Sequence, residues 1–168
     1  MQPSRRSLTP LRIRFLGSGD NFGSGGRFQA CILVEAPDAR FLLDCGASSL
    51  IAMRRYGIST EQVDAILISH LHGDHFGGIP FFVLDGQLIS RRTRPLVVAG
   101  PPGLKERTRL LMEAMYPGMA SVPRKFPVTY VEMEEERPVT VGTLVVTPFK
   151  VIHGSGAPSY ALRVDCSG

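Results

Sequence analysis

Ser69-His70-Leu71-His72-Gly73-Asp74-His75-Phe76-Gly77-Gly78 packs three histidines and one aspartate into six successive positions of a 168-residue chain that holds four histidines in all. The remaining copy is His153. Imidazole used so sparingly and so locally points to metal. Neutral imidazole and carboxylate suit zinc and its first-row neighbours, and a catalytic zinc keeps about three protein ligands and one open position. The run Ala65-Ile66-Leu67-Ile68 reads as a short buried strand that ends at Ser69. In extended backbone, residues two apart point the same way, so His70 and His72 reach one ion. Gly73 then permits a tight turn, after which Asp74 and His75 face a second ion beside the first. A chance gathering of surface or core histidines is the plainer account. Ligand type, spacing and the preceding strand argue together against it. His153 by itself reads as an ordinary loop or core histidine.

The rest of the chain is scaffold for one domain over 11–168, preceded by a polar, proline-containing flexible tail over 1–10. Forty-three per cent apolar and 20% charged residues are ordinary for a globular protein. No apolar run approaches the roughly 20 residues that span a bilayer, so no membrane partner is expected. Arg5-Arg6 is followed by Pro10, Arg12 and Arg14 rather than by the apolar core of an export signal, which gives a cytoplasmic reading. Cys31, Cys45 and Cys166 are odd in number and contain no CxxC pair. This excludes a disulfide framework and a thiolate zinc site, and leaves them as small buried apolar residues. The net charge of +4 favours an anionic substrate. The local clusters Arg91-Arg92-Arg94 and Lys105-Arg107-Arg109 each read as solvated faces.

Leu11 to Phe15 alternates as a half-buried strand does and ends in a glycine-rich loop, Gly17 to Gly26, too rich in glycine for helix or strand. That loop lacks the lysine and helix start of a P-loop, so it borders a pocket more readily than it cradles phosphate. Ala30–Glu35 and Arg40–Leu43 form a hairpin about Pro37-Asp38. Asp44, at the end of the second strand, is either an exposed cap or an acceptor serving a buried group such as a histidine. Ser48 to Tyr56 is helical and stops at Gly57; Ser59 to Gln62 has capping-box form. A helix is expected within 77–90, a strand over Pro95–Ala99, and a helix with Leu104, Thr108, Leu111 and Met115 on one face. Val128–Met133, Thr143–Val151 and Tyr160–Val164 read as strands, with Glu134-Glu135-Glu136 as a solvated turn and His153 at a strand end.

With these elements in order, the chain resembles the metallo-β-lactamase fold hydrolases, and within them the branch containing ribonuclease Z and related phosphodiesterases. Phe15 to Gly19 resembles that branch's opening strand and loop, Leu43 to Gly46 its strand-end aspartate, and Ser69 to Pro80 its signature. Pro95 to Gly103, and His153 ahead of Ser159-Tyr160, add to the likeness. The resemblance implies an α/β fold, the αββα sandwich, with His70, His72 and His153 on a first metal and Asp74 and His75 on a second. It also implies Asp74 as the catalytic residue that orients a hydroxide, and Asp44 as the support of a ligand imidazole. Two of the family's residues, a later bridging aspartate and a further histidine, have no counterpart. Asp165 comes too early, inside the last strand, and no histidine follows His153. The expectation is therefore the N-terminal part of the sandwich, its C-terminal portion missing and one apolar sheet face uncovered, which would favour a homo-oligomer.

The implied cofactor is zinc, one ion or two, with manganese or iron as alternatives. The implied function is a zinc-dependent phosphodiesterase that uses metal-activated hydroxide on an anionic small molecule or a nucleic acid. Hydrolysis of a carboxylic, lactone or sulfate ester, or a catalytically silent metal-binding fragment, are the other readings. Redox diiron relatives carry glutamate where this chain has His72. The lysine- and arginine-bearing opening loop of ribonuclease Z itself is not matched by Asp20 to Arg27.

Overall fold

The computed structural model describes residues 11–166, so the tail expected over 1–10 lies outside the described residues. β1 (Arg12–Gly17), β2 (Cys31–Glu35) and β3 (Arg40–Leu43) run antiparallel, and β4 (Ala65–Leu67), β5 (Leu96–Gly100) and β6 (Val128–Glu132) join β3 in parallel, giving one sheet in sequence order. The change of direction follows from the connections. β1 to β3 are joined by loops, whereas each parallel step needs a crossover. α1 (Ser49–Arg55) provides the first, α2 (Gly73–Phe76) and α3 (Ile79–Leu88) the second, and α4 (Leu104–Met115) the third.

β4 is apolar at every position because both its faces are covered. Ile66 belongs to a core shared with Phe82, Leu104 and Met112 of the helices, while Ala65 and Leu67 belong to a second core shared with Val146 and Tyr160. That second core is closed by β7 (Val139–Val141), β8 (Leu144–Val151) and β9 (Ser159–Asp165), an antiparallel sheet in the order β7-β8-β9. The layers are therefore helix, sheet, sheet, three of the four expected of an αββα sandwich. Val145, Phe149 and Val151 of β8 are exposed. Ile13 lies opposite Val34 in the β1–β2 pairing and so on the inter-sheet face, yet it is 55% exposed against 5% for Val34, because three strands do not extend over β1.

Five local expectations differ from the structure. The second crossover is two helices, not one: α2 begins at Gly73, four residues before the expected segment, and α3 restarts at Ile79 with Pro80 in its first turn, where a missing N–H costs nothing. β7 follows the acidic turn and was not anticipated. The buried stripe of α4 is Leu104, Thr108 and Met112, with Leu111 and Met115 half-buried, since the helix packs on a spacing of four. Arg92 is not solvated at all. It is 1% exposed, lies over Phe126, and donates to the carbonyls of Thr60 (2.6 Å), Arg94 (2.7 Å) and Pro95 (2.5 Å). A guanidinium with its donors so engaged closes the α3–β5 connection. The three cysteines are unpaired; Cys31 and Cys45 are fully buried as expected, but Cys166 is only half-buried.

Candidate metal centre

The histidine motif leaves the end of β4 between the two sheets. Ser69 accepts the Tyr160 N–H through its carbonyl (2.9 Å), which ties the first residue of the motif to β9. His72 keeps an extended backbone, φ −82° and ψ 149°, and caps α2. The short helix is held from behind by Cys45, whose N–H donates to the His75 carbonyl (2.6 Å) and whose carbonyl accepts from Gly78 (2.8 Å). This packing is backbone on backbone. A Cβ at Gly46 would stand 2.2 Å from the Asp74 carbonyl oxygen, and one at Gly78 would stand 2.2 Å from the Gly46 carbonyl oxygen. Only glycine fits at either position.

Asp44 organises the centre. It has a left-handed backbone, φ 59°, which aspartate tolerates better than most residues. Its Oδ1 accepts from the Ser69 N–H (2.8 Å), and its Oδ2 accepts from the Ser69 hydroxyl (2.9 Å) and from His75 Nδ1 (2.7 Å). The proton positions then follow. The Ser69 hydroxyl directs its hydrogen at the carboxylate, so across the 3.0 Å contact with His70 Nδ1 it accepts, and His70 carries its proton on Nδ1. Its Nε2 is left with a free lone pair, buried and without any partner. His75 is likewise protonated on Nδ1, and its Nε2 faces Asp74 Oδ2 at 3.4 Å.

The charge state of His70 suits ligand use, whereas His75 is shifted the other way. Burial lowers the pKa of His70 to about 4, aided by the neighbouring imidazoles, His75 foremost; it is neutral at pH 7. Burial opposes charge on His75 too, but the hydrogen bond and charge of Asp44, together with Asp74, outweigh it and raise its pKa.

The structure brings His70, His72 and His153 together: one ring nitrogen from each lies within 4.8 Å of the others. His153 Nε2 is 3.2 Å from His72 Nδ1. His153 is exposed, but its carbonyl accepts from the Ser159 hydroxyl (3.1 Å), which contacts Ser155 at 3.0 Å. His75 is adjacent, its ring 3.9 Å from that of His70, and Asp74 is 8% exposed beside it. An orphaned buried Nε2 and three converging imidazoles are the donor set that zinc takes. Asp44 therefore serves a buried group rather than capping a loop. Ser69 was missed in the sequence: its role depends on Asp44, 25 residues earlier, and nothing local signals that pairing.

The layers and this centre define the metallo-β-lactamase fold. Human tRNase Z, short form, superposes with a TM-score of 0.70 at 23% identity, over 91% of this chain and 64% of that one. The metallo-β-lactamase fold protein YhfI of Bacillus subtilis gives 0.67 at 23%, over 93% and 58%. Residues 11–167 match the family described as "Anti-Pycsar protein Apyc1", and the chain belongs to it. Among curated proteins it is 29% identical over 160 residues to ribonuclease Z of Lachnoclostridium phytofermentans, covering 94% of this chain and 50% of that one. It is 30% identical over 152 residues to ribonuclease Z of Methanosarcina mazei, covering 90% and 48%. The chain thus spans about half the length of the curated relatives it matches.

Proposed function

We propose that the chain carries the metal centre of a zinc-dependent phosphodiesterase, with His70, His72 and His153 on the first ion and Asp74 and His75 turned toward a second. The observation that carries this reading is the convergence of three imidazoles with His70 Nε2 buried and unpartnered. Phosphodiester substrates are favoured by the relatives named ribonuclease Z and by the chain's net charge of +4. Bound zinc supplies a nucleophilic water at neutral pH, lowering its pKa from 15.7 to about 7, and neutralises charge developing on the phosphoryl oxygens.

The chain's own residues do the rest. Asp44, directly and through Ser69, holds His75 and His70 in the tautomers that present Nε2. Asp74, whose Oδ2 lies 3.4 Å from His75 Nε2, orients the attacking water and takes its proton. Free, unpaired cysteines support a cytoplasmic setting.

The test is hydrolysis of bis(4-nitrophenyl) phosphate by zinc-loaded protein. Turnover abolished in His70→Ala and reduced at least about a hundredfold in Asp74→Asn supports the reading. Zinc binding without turnover in the parent favours the silent metal-binding fragment, and turnover of aryl carboxylic esters alone favours ester hydrolysis.

A further inference from the structure

On the helical face of the first sheet, away from the histidines, α3, α4, the segment after α4 and the edge strand β6 line a half-open cleft of about 250 Å³. Its floor is apolar, formed by Val83, Met112 and Val128. Three features make it more than a packing defect. Thr108, 2% exposed, borders it and carries a buried Oγ1 with no hydrogen-bond partner among the described residues, in a helix where such a hydroxyl normally bonds back to the preceding turn. Arg124 lines it as well. Among the described residues its guanidinium is held by neutral oxygens, the Met119 carbonyl at 2.6 Å and Gln87 Oε1 at 3.4 Å, and no carboxylate is hydrogen-bonded to it. Tyr130, beside Arg124, turns its phenol to the same space, and burial pushes that phenol up to about 12, so it remains a donor. Lys105 adds a second cation at the rim. The one rim carboxylate, Glu106, is taken up by Arg109 in two hydrogen bonds of 2.8 and 2.9 Å.

We infer that this cavity binds a small organic anion: a single six-membered ring against Val83, Met112 and Val128, with a carboxylate or phosphate head between Arg124 and Lys105. Size sets the ring count. A cavity of about 150 Å³ takes benzene, so a half-open cleft of about 250 Å³ has room for one ring with its head group at the mouth. Charge sets the sign, since the cations Arg124 and Lys105 line the space while the lining carboxylate, Glu106, is hydrogen-bonded to Arg109. Helix α4 also carries Arg107, whose guanidinium covers the Phe76 ring of the motif helix at 5.3 Å, so an occupant would brace the element that packs against α2.

The experiment is a titration of the metal-free, ¹⁵N-labelled chain with benzoate and with phenyl phosphate, followed by amide shifts. Without metal, the result is independent of whether the hydrolase reading holds. Saturable shifts at Thr108, Ala120 and Tyr130 at millimolar ligand are expected, weakened about tenfold in Arg124→Gln and in Lys105→Gln. Lys105 is exposed, so its variant keeps the fold even if the Arg124 variant does not. No saturable shift at millimolar ligand, shifts confined to 70–75, equal affinity in the Lys105 variant, or equal binding of cyclohexylamine would each overturn the inference.

Discussion

Replacing Asp44 by asparagine leaves the backbone untouched and reverses the proton bookkeeping of the whole centre. Asparagine accepts the φ of 59° at this position, and its Oδ1 keeps the bond to the Ser69 N–H. Its Nδ2 then faces the two groups that Oδ2 served, Ser69 Oγ and His75 Nδ1, as a donor instead of an acceptor. Ser69 now turns its proton to His70 Nδ1, and His75 must accept at Nδ1. Both rings are driven into the tautomer with a proton on Nε2, the atom meant for metal. Losing one orienting partner of a metal-bound histidine costs about 10–100-fold in affinity. Here two imidazoles are affected together, so about 100-fold, near 2.7 kcal/mol, is expected. The metal-free fold loses only about 1–2 kcal/mol, from one charge-assisted bond made neutral. Zinc competition against a chelating fluorophore measures the first quantity and thermal unfolding of the metal-free protein the second. A folded Asp44→Asn protein that binds zinc as tightly as the parent would refute the tautomer argument.

Three further outcomes follow from the same geometry. Gly78→Ala drives a methyl group into the Gly46 carbonyl, 2.2 Å away, and should destabilise by about 2–4 kcal/mol in denaturant unfolding, whereas Gly57→Ala, in open space but at φ 67°, should cost only about 1 kcal/mol. Arg92→Met removes the donors to three carbonyls and should lower stability by about 3 kcal/mol, read as a shift in unfolding midpoint with an unchanged slope. For pH, His70 is held near 4 in the folded chain against 6.5 unfolded, so between those values the unfolded state binds the extra proton. Its contribution to stability is complete above 6.5 and lost as pH falls toward 4. His75, shifted upward, acts in the opposite sense. Metal-free thermal scans across that window should therefore show a steeper loss in the parent than in His70→Gln.

Much of this was legible because it is written locally. The unbroken apolar run at Ala65–Leu67 announced a strand covered on both faces, and the spacing of His70 and His72 along extended chain announced ring nitrogens that converge. His153 was placed by family likeness alone. Nothing in its neighbourhood says that β8 will deliver it beside His72, 81 residues away in sequence. Asp44 was left between two roles for the same reason, and the bond to His75 that decides between them spans 31 residues. Arg92 misled because a basic cluster with an ordinary composition gives no sign that one member turns inward to cap three carbonyls. The split between α2 and α3 was hidden by Gly77 and Gly78, which read as a loose start to one helix. Gly78 lets the motif lie against Cys45 and Gly46, and Gly77 closes against the Gly73 carbonyl oxygen, 2.4 Å from where a Cβ would stand.

The most direct test of the centre is X-ray absorption at the zinc edge on the chain loaded with one equivalent of zinc, so that the first site alone is filled. The account predicts a first shell of nitrogen and oxygen at about 2.0–2.1 Å with the outer-shell scattering of three imidazoles, reduced to two in His153→Ala. A shell containing sulfur at about 2.3 Å, or a spectrum unchanged by His153→Ala, would contradict it.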